Sequence, residues 1–451
     1  MTTVPHLPPD GSFELVLRRK HLEQLRSVEI PDNHHDLPKM PWPLPGGGGP
    51  SPYEQLVQWS TQAKEQIAKA VSNRVVSPES IDWDNGLFTL LESAAVYLRD
   101  TDKVFQAVLE ARKKTDEGNK RALQLLYDSQ ADIKKIAAMW GMNFEVICDL
   151  LKYSPEGYPM LNGPYCGVFF NNDRSKPFLG LAFKGTNPFS WSEVWKDLKF
   201  AMMLAAGNIL WGSPLHRGFY QTMFLKFPHI DDVPLDFIKN MVDQFLQTYP
   251  GHSLGGAYAT LCYAELMRLY NNDPTWYVTN PSEDTHTHLR EAFFAGLKER
   301  QFVLRDLYTF GCPRVGGLMD DKDWARRYFD ALGHHKGRSW RVGNSGDPVT
   351  KVPPAFPLIS TWNHVDNGWK LDKGKDPVPL PTEVGTKPSF GFNPLLFGRH
   401  STALYFQNLY NASTTGPKIE VEGVPEDPEG FKAGEITTEN ALAELGEEKE
   451  L

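Results

Sequence analysis

The chain has 451 residues, of which 41% are hydrophobic and 12% aromatic, and it carries a formal net charge of −9. This apolar content is that of a globular protein, and the length exceeds what one hydrophobic core needs, so we expect one large domain with additions. The acidic balance, without a basic stripe, argues against a nucleic-acid partner, because phosphate binding requires concentrated positive charge.

Cysteine usage and the N-terminus bear on the compartment. Four cysteines occur in a spacing that matches no metal motif, and the first 20 residues lack an apolar run behind a basic start. We therefore predict a cytoplasmic protein without a secretory signal, a metal or an organic cofactor. The apolar run from Phe200 to Trp211 is shorter than the roughly 20 residues of a membrane-spanning helix. Contact with a lipid surface is therefore expected to be peripheral.

Composition and periodicity divide the chain into four predicted regions. Residues 1–52 form an N-terminal arm that ends in a Pro/Gly-rich linker, a composition that does not pack. Residues 53–158 repeat apolar side chains at helical spacing and are predicted to be supporting helices. Residues 159–412 form the predicted main domain, in which short β-rich runs alternate with helical patterns. The acidic residues 413–451, poor in aromatics, are predicted to be disordered.

From Tyr165 onward, short β-rich runs alternate with helical patterns. YCGVFFNN and KPFLGLAFKG flank a polar turn and predict a hairpin, while FVLRDLYTFG and SWRVGN predict buried strands. Between them, LDFIKNMVDQFL and GGAYATLCYAELMRLY have helical periodicity. This alternation predicts an α/β fold with a mostly parallel central sheet, preceded by the N-terminal helices.

The motif GHSLGGA contains Gly251-x-Ser253-x-Gly255, the pattern of a nucleophile elbow. In such an elbow the serine occupies a tight turn between a strand and a helix, where flanking glycines avoid clashes with neighbouring backbone. The helix that follows points its N-terminus at the reacting carbonyl. A GxSxG pattern also arises by chance in a chain with 37 glycines, so the other parts of a site must accompany it.

Candidates for those other parts are present. Thr186, at the end of a predicted strand, and the N–H of Leu254 are candidates for the two halves of an oxyanion hole. Asp347 follows the strand SWRVGN in a loop suited to an acid that orients a histidine, although turn chemistry before a proline also explains it. Two histidines follow, His364 and His400, and either gives the order Ser…Asp…His of α/β hydrolases.

Five blocks in order resemble the class 3 lipases, the filamentous-fungal triacylglycerol lipase type, over roughly residues 165–410. The blocks are AFKGTNP, LHRGF, GHSLGGA, YTFGCPRVG and RVGNSGDPVTKVPP. The resemblance implies an α/β-hydrolase fold in which Ser253 is the nucleophile, Asp347 is the acid and Thr186 belongs to the oxyanion hole.

The resemblance also bears on the base. The family places its histidine near the C-terminal end, before an aromatic pair, which here favours His400, followed by Tyr405 and Phe406. His364 is then expected in a strand or loop near the site, and His216 in structural packing. The spacing from His400 to the aromatic pair is looser than the family pattern.

The family usually carries an amphipathic lid after the oxyanion loop. The corresponding stretch is NPFSWSEVWKDLKFAMMLAAGNILW, with Phe189, Trp191 and Trp195 as its expected apolar face. Such a lid opens on a lipid surface and exposes the substrate pocket. An ordinary surface helix with aromatic core contacts is the alternative.

The approach to the elbow departs from the family. Apolar residues between positions 237 and 246 keep a helical period, which leaves only four residues before Gly251. One of them, Pro250, lacks the N–H that a central strand donates. We therefore expect the strand before the elbow to be missing, through divergence or an error in exon joining.

These observations together predict a serine ester hydrolase that cleaves glycerolipids or other apolar esters through an acyl-enzyme. The competing hypothesis is a catalytically impaired lipid-binding or scaffold protein on a hydrolase fold, which the missing strand favours. A third interpretation keeps the triad but changes the substrate to a thioester or a short soluble ester.

Overall fold

The computed structural model describes the greater part of the chain between residues 50 and 424. The described residues are 15, 18–19, 21–23, 50–72, 80–149, 152–153, 159–160, 165–171, 179–185, 202–206, 209–224, 249–252, 254–270, 304–319, 322–334, 337–353, 361–365, 367–381, 394–422 and 424. The predicted helix LDFIKNMVDQFL lies outside them.

The described helices fall into an N-terminal group and a group interleaved with strands. The α-helices are α1 Pro52–Gln62, α2 Lys64–Ser72, α3 Trp83–Ala95, α4 Thr101–Arg112, α5 Asp116–Ser129, α6 Ala131–Met139, α7 Arg217–Phe224, α8 Leu254–Tyr270, α9 Trp324–Gly333 and α10 Thr402–Ser413. The 3₁₀ segments are Val96–Leu98, Ile209–Gly212, Val349–Lys351 and Pro394–His400. None of the helices in the described part of the chain combines the length and the apolar character that crossing a membrane requires.

The strands are short. They are β1 Asn143–Asp149, β2 Lys152–Tyr153, β3 Pro159–Met160, β4 Tyr165–Phe170, β5 Leu179–Phe183, β6 Met202–Leu204, β7 Pro214–His216, β8 Tyr249–His252, β9 Leu307–Phe310, β10 Gly316–Met319, β11 Lys322–Asp323, β12 Ser339–Asn344, β13 Thr361–Asn363, β14 Gly368–Leu371 and β15 Val378–Pro379. The predicted hairpin is β4 and β5, and the strand predicted at SWRVGN is β12.

Within the described residues, the main sheet runs β1-β4-β5-β8-β9-β12-β14-β15. The inner strands from β5 to β14 pair in parallel. The outer strands β1, β4 and β15 pair antiparallel with their neighbours. The predicted α/β fold with a mostly parallel central sheet is therefore confirmed.

Side chains on the inner strands alternate between two apolar layers, as the period of a strand requires. On β5, Leu181 and Phe183 pack with α7, α8 and α9 on one face of the sheet. Ala182, between them, packs on the other face with the N-terminal helices and α10. The helices before the sheet therefore form one of the two layers that cover it.

A strand does lead into GHSLGGA, so the predicted absence of that strand is wrong. β8 pairs in parallel with β9, from Tyr249 opposite Leu307 to His252 opposite Phe310. On its other side it pairs with β5. The sequence pattern does not reveal β8 because the strand has 4 residues, YPGH, and includes a proline. Neighbouring strands on both sides supply pairing that its local composition does not favour.

Two other stretches differ from expectation. β1 lies in a region predicted to be helical, because its apolar residues fit a short strand and a helix equally well. Part of the acidic tail, predicted to be disordered, packs on α10: Ile419 and Asn411 exchange hydrogen bonds of 2.8 and 3.1 Å, and the N–H of Val421 donates to Gln407 at 2.9 Å. Ile419 and Val421 are half-buried against the apolar layer that includes α10, a contact that the composition of an acidic tail does not reveal. The tail beyond residue 424 lies outside the described residues.

Candidate active site

Asp347 and His400 come together from two separate elements. Asp347 lies in the turn after β12, and His400 ends the segment Pro394–His400. Nδ1 of His400 lies 2.8 Å from Oδ2 of Asp347, and both side chains are buried. With a carboxylate as its partner, Nδ1 carries the proton of the neutral ring, which directs Nε2 away from Asp347.

The Asp347 carboxylate is held by several donors. The N–H of Val349 donates to Oδ1 at 2.9 Å, and the hydroxyl of Tyr405 donates to Oδ2 at 2.6 Å. Burial by itself raises the pKa of Asp347, but the nearby His400 and the hydrogen bonds from His400, Tyr405 and Val349 outweigh it and lower the pKa below its ordinary value. The carboxylate therefore remains charged despite its burial.

The segment that carries His400 is fastened to the end of β12. Nδ2 of Asn344 donates to the carbonyl of Arg399 at 2.9 Å, and Arg399 donates back to the carbonyl of Ser345 at 2.7 Å. The N–H of Asn344 donates to the hydroxyl of Tyr405 at 3.0 Å. Tyr405 thus connects the backbone of β12 to the carboxylate that orients His400.

Gly311 provides the space for this pair beside β9. Its φ is +59°, and an added Cβ would lie 2.5 Å from Cε1 of His400 and 2.8 Å from Oδ2 of Asp347. Gly311 follows Phe310, which pairs with His252 across the β8–β9 register. The pair therefore lies at the carboxyl ends of the parallel strands, where open α/β sheets bind their ligands.

The helix after the GHSLGGA motif packs tightly against the end of β5. α8 begins at Leu254, and a Cβ at Gly255 would lie 2.2 Å from the carbonyl oxygen of Phe183 and 2.9 Å from the amide nitrogen of Gly185. Only glycine permits this approach. The first turn of α8 and the backbone at Gly185 are therefore immediate neighbours.

Several predicted site residues lie outside the described residues. These are Ser253, Thr186 and the predicted lid residues Phe189, Trp191 and Trp195. The residues flanking Ser253, which are His252 and Leu254, and Gly185 before Thr186 are described. Across the part of the chain that the structure describes, no group of three or more His, Cys, Asp or Glu side chains is arranged to hold a metal ion.

The other two histidines considered from the sequence have partners other than the Asp347 carboxylate. Nε2 of His364 lies 2.7 Å from the carbonyl oxygen of Thr350, which belongs to the 3₁₀ segment that follows Asp347. His216 stacks on Phe219 with ring centroids 4.2 Å apart, and burial lowers its pKa to about 4. Its neutral ring is part of an aromatic cluster.

Sequence reasoning did not assign site positions to Asn344 and Gly311, and it used Tyr405 only as a family marker. Gly311 could have been found from the sequence, because it directly follows a predicted buried strand and sites in α/β sheets lie at the carboxyl ends of the parallel strands. No local signal marks Asn344 or the contact of Tyr405 with Asp347, which depend on contacts across 55 to 64 positions of sequence.

A mixed sheet with parallel inner strands, the strand β8 and the helix α8 on either side of Ser253 in the chain, and a buried Asp–His pair at the carboxyl edge define the α/β-hydrolase fold. Residues 180–356 match the family model of the class 3 lipases. The predicted resemblance to this family is thereby confirmed over a segment that contains all five sequence blocks. His400 and α10 follow the end of the match.

Solved lipase structures are also similar to the chain at low identity. The Rhizomucor miehei lipase propeptide complex is 19% identical, with 52% of this chain and 58% of that chain covered and a TM-score of 0.32. A triacylglycerol lipase from Penicillium expansum is 14% identical, with 56% and 83% covered and a TM-score of 0.34. The Lip2 lipase from Yarrowia lipolytica is 19% identical, with 51% and 66% covered and a TM-score of 0.30.

Proposed function

We propose that this protein is a serine carboxylic ester hydrolase that acts on glycerolipids or other apolar esters. The observation that carries the proposal is the buried hydrogen bond between Asp347 and His400 at the carboxyl edge of the strand that leads to Ser253. His252 and Phe310 form a register pair of β8 and β9, and Ser253 and Gly311 are the residues that follow them in the chain. His400 contacts Gly311.

The proposed reaction proceeds in two steps. Nε2 of His400 takes the hydroxyl proton of Ser253 as the serine oxygen attacks the ester carbonyl, and the proton then passes to the leaving alcohol. In the second step, water attacks the acyl-enzyme while His400 takes its proton. His400 then returns the proton to the Ser253 oxygen as the carboxylic acid is released. Asp347 orients the imidazole and stabilises its charged form, which its buried but ionised carboxylate suits. The N–H groups of Thr186 and Leu254 are proposed to bind the oxyanion.

The competing scaffold hypothesis has lost the observation that favoured it, since β8 is present and paired on both sides. The apolar substrate class is proposed from the family match and from the apolar stretch after the oxyanion loop. The same stretch is proposed to contact a lipid surface peripherally, with Phe189, Trp191 and Trp195 as its apolar face.

Labelling with a fluorophosphonate probe tests the proposal. The wild-type protein should label, and Ser253→Ala should not. The labelling rate of His400→Ala should be lower than that of wild type by at least about 100-fold, because general-base assistance is lost. Wild-type protein that is folded by circular dichroism but takes no label would contradict the proposal. Hydrolysis of emulsified long-chain and dissolved short-chain esters, compared on the same preparation, then distinguishes a lipase from an esterase for soluble substrates.

A further inference from the structure

A segment near the N-terminus, far outside the family match, is docked on the edge strand of the sheet. His21 and Arg18 are buried, and they lie three positions apart, which puts them on one helix face. Nε2 of His21 lies 2.7 Å from Oδ2 of Asp149, and Arg18 donates to Glu145 at 3.0 Å. Two buried carboxylates of β1 thus receive two side chains of this segment.

Apolar packing fixes the same segment. Leu22 is buried within the apolar cluster that α4 and α5 form, which also includes Val104 and Leu126. The guanidinium of Arg18 also lies 4.3 Å from the centre of the Tyr127 ring. The segment is therefore held by charge complementarity on one side and by a helical hairpin on the other.

Asp149 is the centre of a polar group that we call the Asp149 cluster, which consists of Asp149, His21, Arg99 and Lys184. Arg99 donates to the same carboxylate oxygen as His21, and its guanidinium lies 4.7 Å from the centre of the Tyr165 ring. Burial raises the pKa of Asp149, but Arg99, His21 and Lys184 outweigh it and lower the pKa. Burial, with the nearby Arg99, lowers the pKa of Lys184 to about 8.

Lys184 connects the Asp149 cluster to the candidate active site. Its N–H donates to the carbonyl of Tyr165 at 3.0 Å, and its ammonium lies 5.5 Å from the centre of the Tyr97 ring. The next residue, Gly185, donates its N–H to the Tyr97 hydroxyl. A Cβ added at Gly255, in the first turn of α8, would lie 2.9 Å from the same amide nitrogen. Residues 184 and 185 are therefore held between the cluster and the helix that follows Ser253.

We propose that His21 is a positioning residue for the oxyanion side of the site. By completing the Asp149 cluster, it fixes Lys184 and Gly185, which lie beside the first turn of α8, where the N–H of Leu254 is the proposed oxyanion donor. Oxyanion donors act within a narrow range of distance, and a displacement of about 1 Å costs on the order of 100-fold in rate. This inference rests on the proposed function, and it assigns the N-terminal segment a part in the reaction.

The kinetic test compares three variants of the full chain. His21→Ala removes the contact with Asp149, His21→Gln retains a donor near the position of Nε2, and Glu23→Ala alters an exposed residue of the same segment. We expect His21→Ala to lower kcat for a short soluble ester about tenfold with KM changed less than about twofold, because transition-state binding is what changes. His21→Gln should recover part of this loss, and Glu23→Ala should match wild type. An unchanged kcat in His21→Ala, or a loss that His21→Gln does not relieve and that follows Tm, would overturn the proposal.

Hydrogen exchange separates this inference from the proposed function. The amides of Lys184 and Gly185 are both hydrogen-bonded, so their exchange reports how firmly the segment is held. Measured in a Ser253→Ala background, exchange of the peptide covering residues 179–185 should accelerate about tenfold with His21→Ala. It should not change with Glu23→Ala. Unchanged exchange would contradict the positioning role even if the enzyme is active, while faster exchange supports that role even if no labelling by fluorophosphonate occurs.

Discussion

Gly311 has a backbone conformation that favours glycine, and it lies directly beside the Asp347–His400 pair. Gly311→Ala places a Cβ 2.5 Å from Cε1 of His400, in a backbone conformation that L-residues rarely adopt. We expect kcat to fall about 100-fold, because His400 must move. Gly374→Ala is the matched control, since its φ is +73° and no atom of the described residues lies within 4 Å of the added Cβ. Both variants should lose about 1–2 kcal/mol of stability to the backbone conformation. Equal activity in the two would contradict this account of Gly311.

The hydroxyl of Tyr405 accepts from Asn344 and donates to Asp347, so Tyr405→Phe leaves two buried groups without it. We expect a loss of about 1–3 kcal/mol in the free energy of unfolding at pH 7. Tyr410→Phe, on the same helix but partly exposed, should have little effect.

The pH dependence of the Tyr405→Phe effect follows from the sign of the Asp347 shift. The folded-state pKa of Asp347 is lowered, so its charge stabilises the fold above the ordinary value of 3.8, and this stabilisation is lost as the pH falls through the lowered value. Removing one donor reduces the shift. Urea unfolding between pH 7 and pH 3 should therefore show the difference from wild type shrinking toward acid. A difference independent of pH would mean that Tyr405 contributes through packing alone.

At the scale of elements, α3 brings a buried carboxyl against β5. Glu92 is fully buried, and neither of its carboxyl oxygens has a hydrogen-bond partner among the described residues; a Cβ at Gly180 would lie 2.4 Å from its Oε1. Burial raises the pKa of Glu92 well above 4.5. Because its pKa is raised, Glu92 stays protonated in the folded protein at pH values where it ionises in the unfolded chain. The free energy of unfolding is therefore highest below pH 4.5 and declines as the pH rises toward the folded-state pKa.

Glu92→Gln should remove this decline because the amide does not ionise. We expect the variant and wild type to be similarly stable near pH 4 and the variant to gain up to about 1.4 kcal/mol per pH unit above that, until the folded-state pKa is passed. Glu65→Gln, an exposed helical position, is the control and should show no such gain. Urea midpoints measured from pH 4 to pH 8 decide the matter, and parallel curves for wild type and Glu92→Gln would contradict it.

The elements also differ in how far the sequence predicts them. Helical periodicity predicts α8, and a β-rich run predicts β12, because each element contains enough apolar residues in its own sequence to indicate its structure. β8 does not, because a strand of 4 residues containing Pro250 depends on its neighbours for pairing. The same holds at the site. Their order after Ser253 and the family motifs predict Asp347 and His400. The hydrogen bonds that hold them in place join positions far apart in the chain and cannot be predicted from local sequence.

At the scale of the whole molecule, the N-terminal helices and the sheet share one apolar layer. Trp59 of α1 stacks on Phe406 of α10 with ring centroids 4.7 Å apart and planes within 8°. Phe406 is next to Tyr405, which contacts Asp347. A helix before the family match therefore supports the helix that holds the site together.

Trp59→Ala should consequently destabilise the hydrolase core as well as the N-terminal helices. We expect a loss of about 3–5 kcal/mol in the free energy of unfolding, the usual cost of removing a large buried aromatic side chain. Trp59→Phe, which retains a ring against Phe406, should lose less. Since the apolar layer is shared, the wild type and both variants should unfold in one transition, with the same urea midpoint by far-UV circular dichroism and by tryptophan fluorescence. Two transitions, with only the first shifted by Trp59→Ala, would instead show that residues 53–158 fold as a separate unit, and that the contact between Trp59 and Phe406 does not couple them to the sheet.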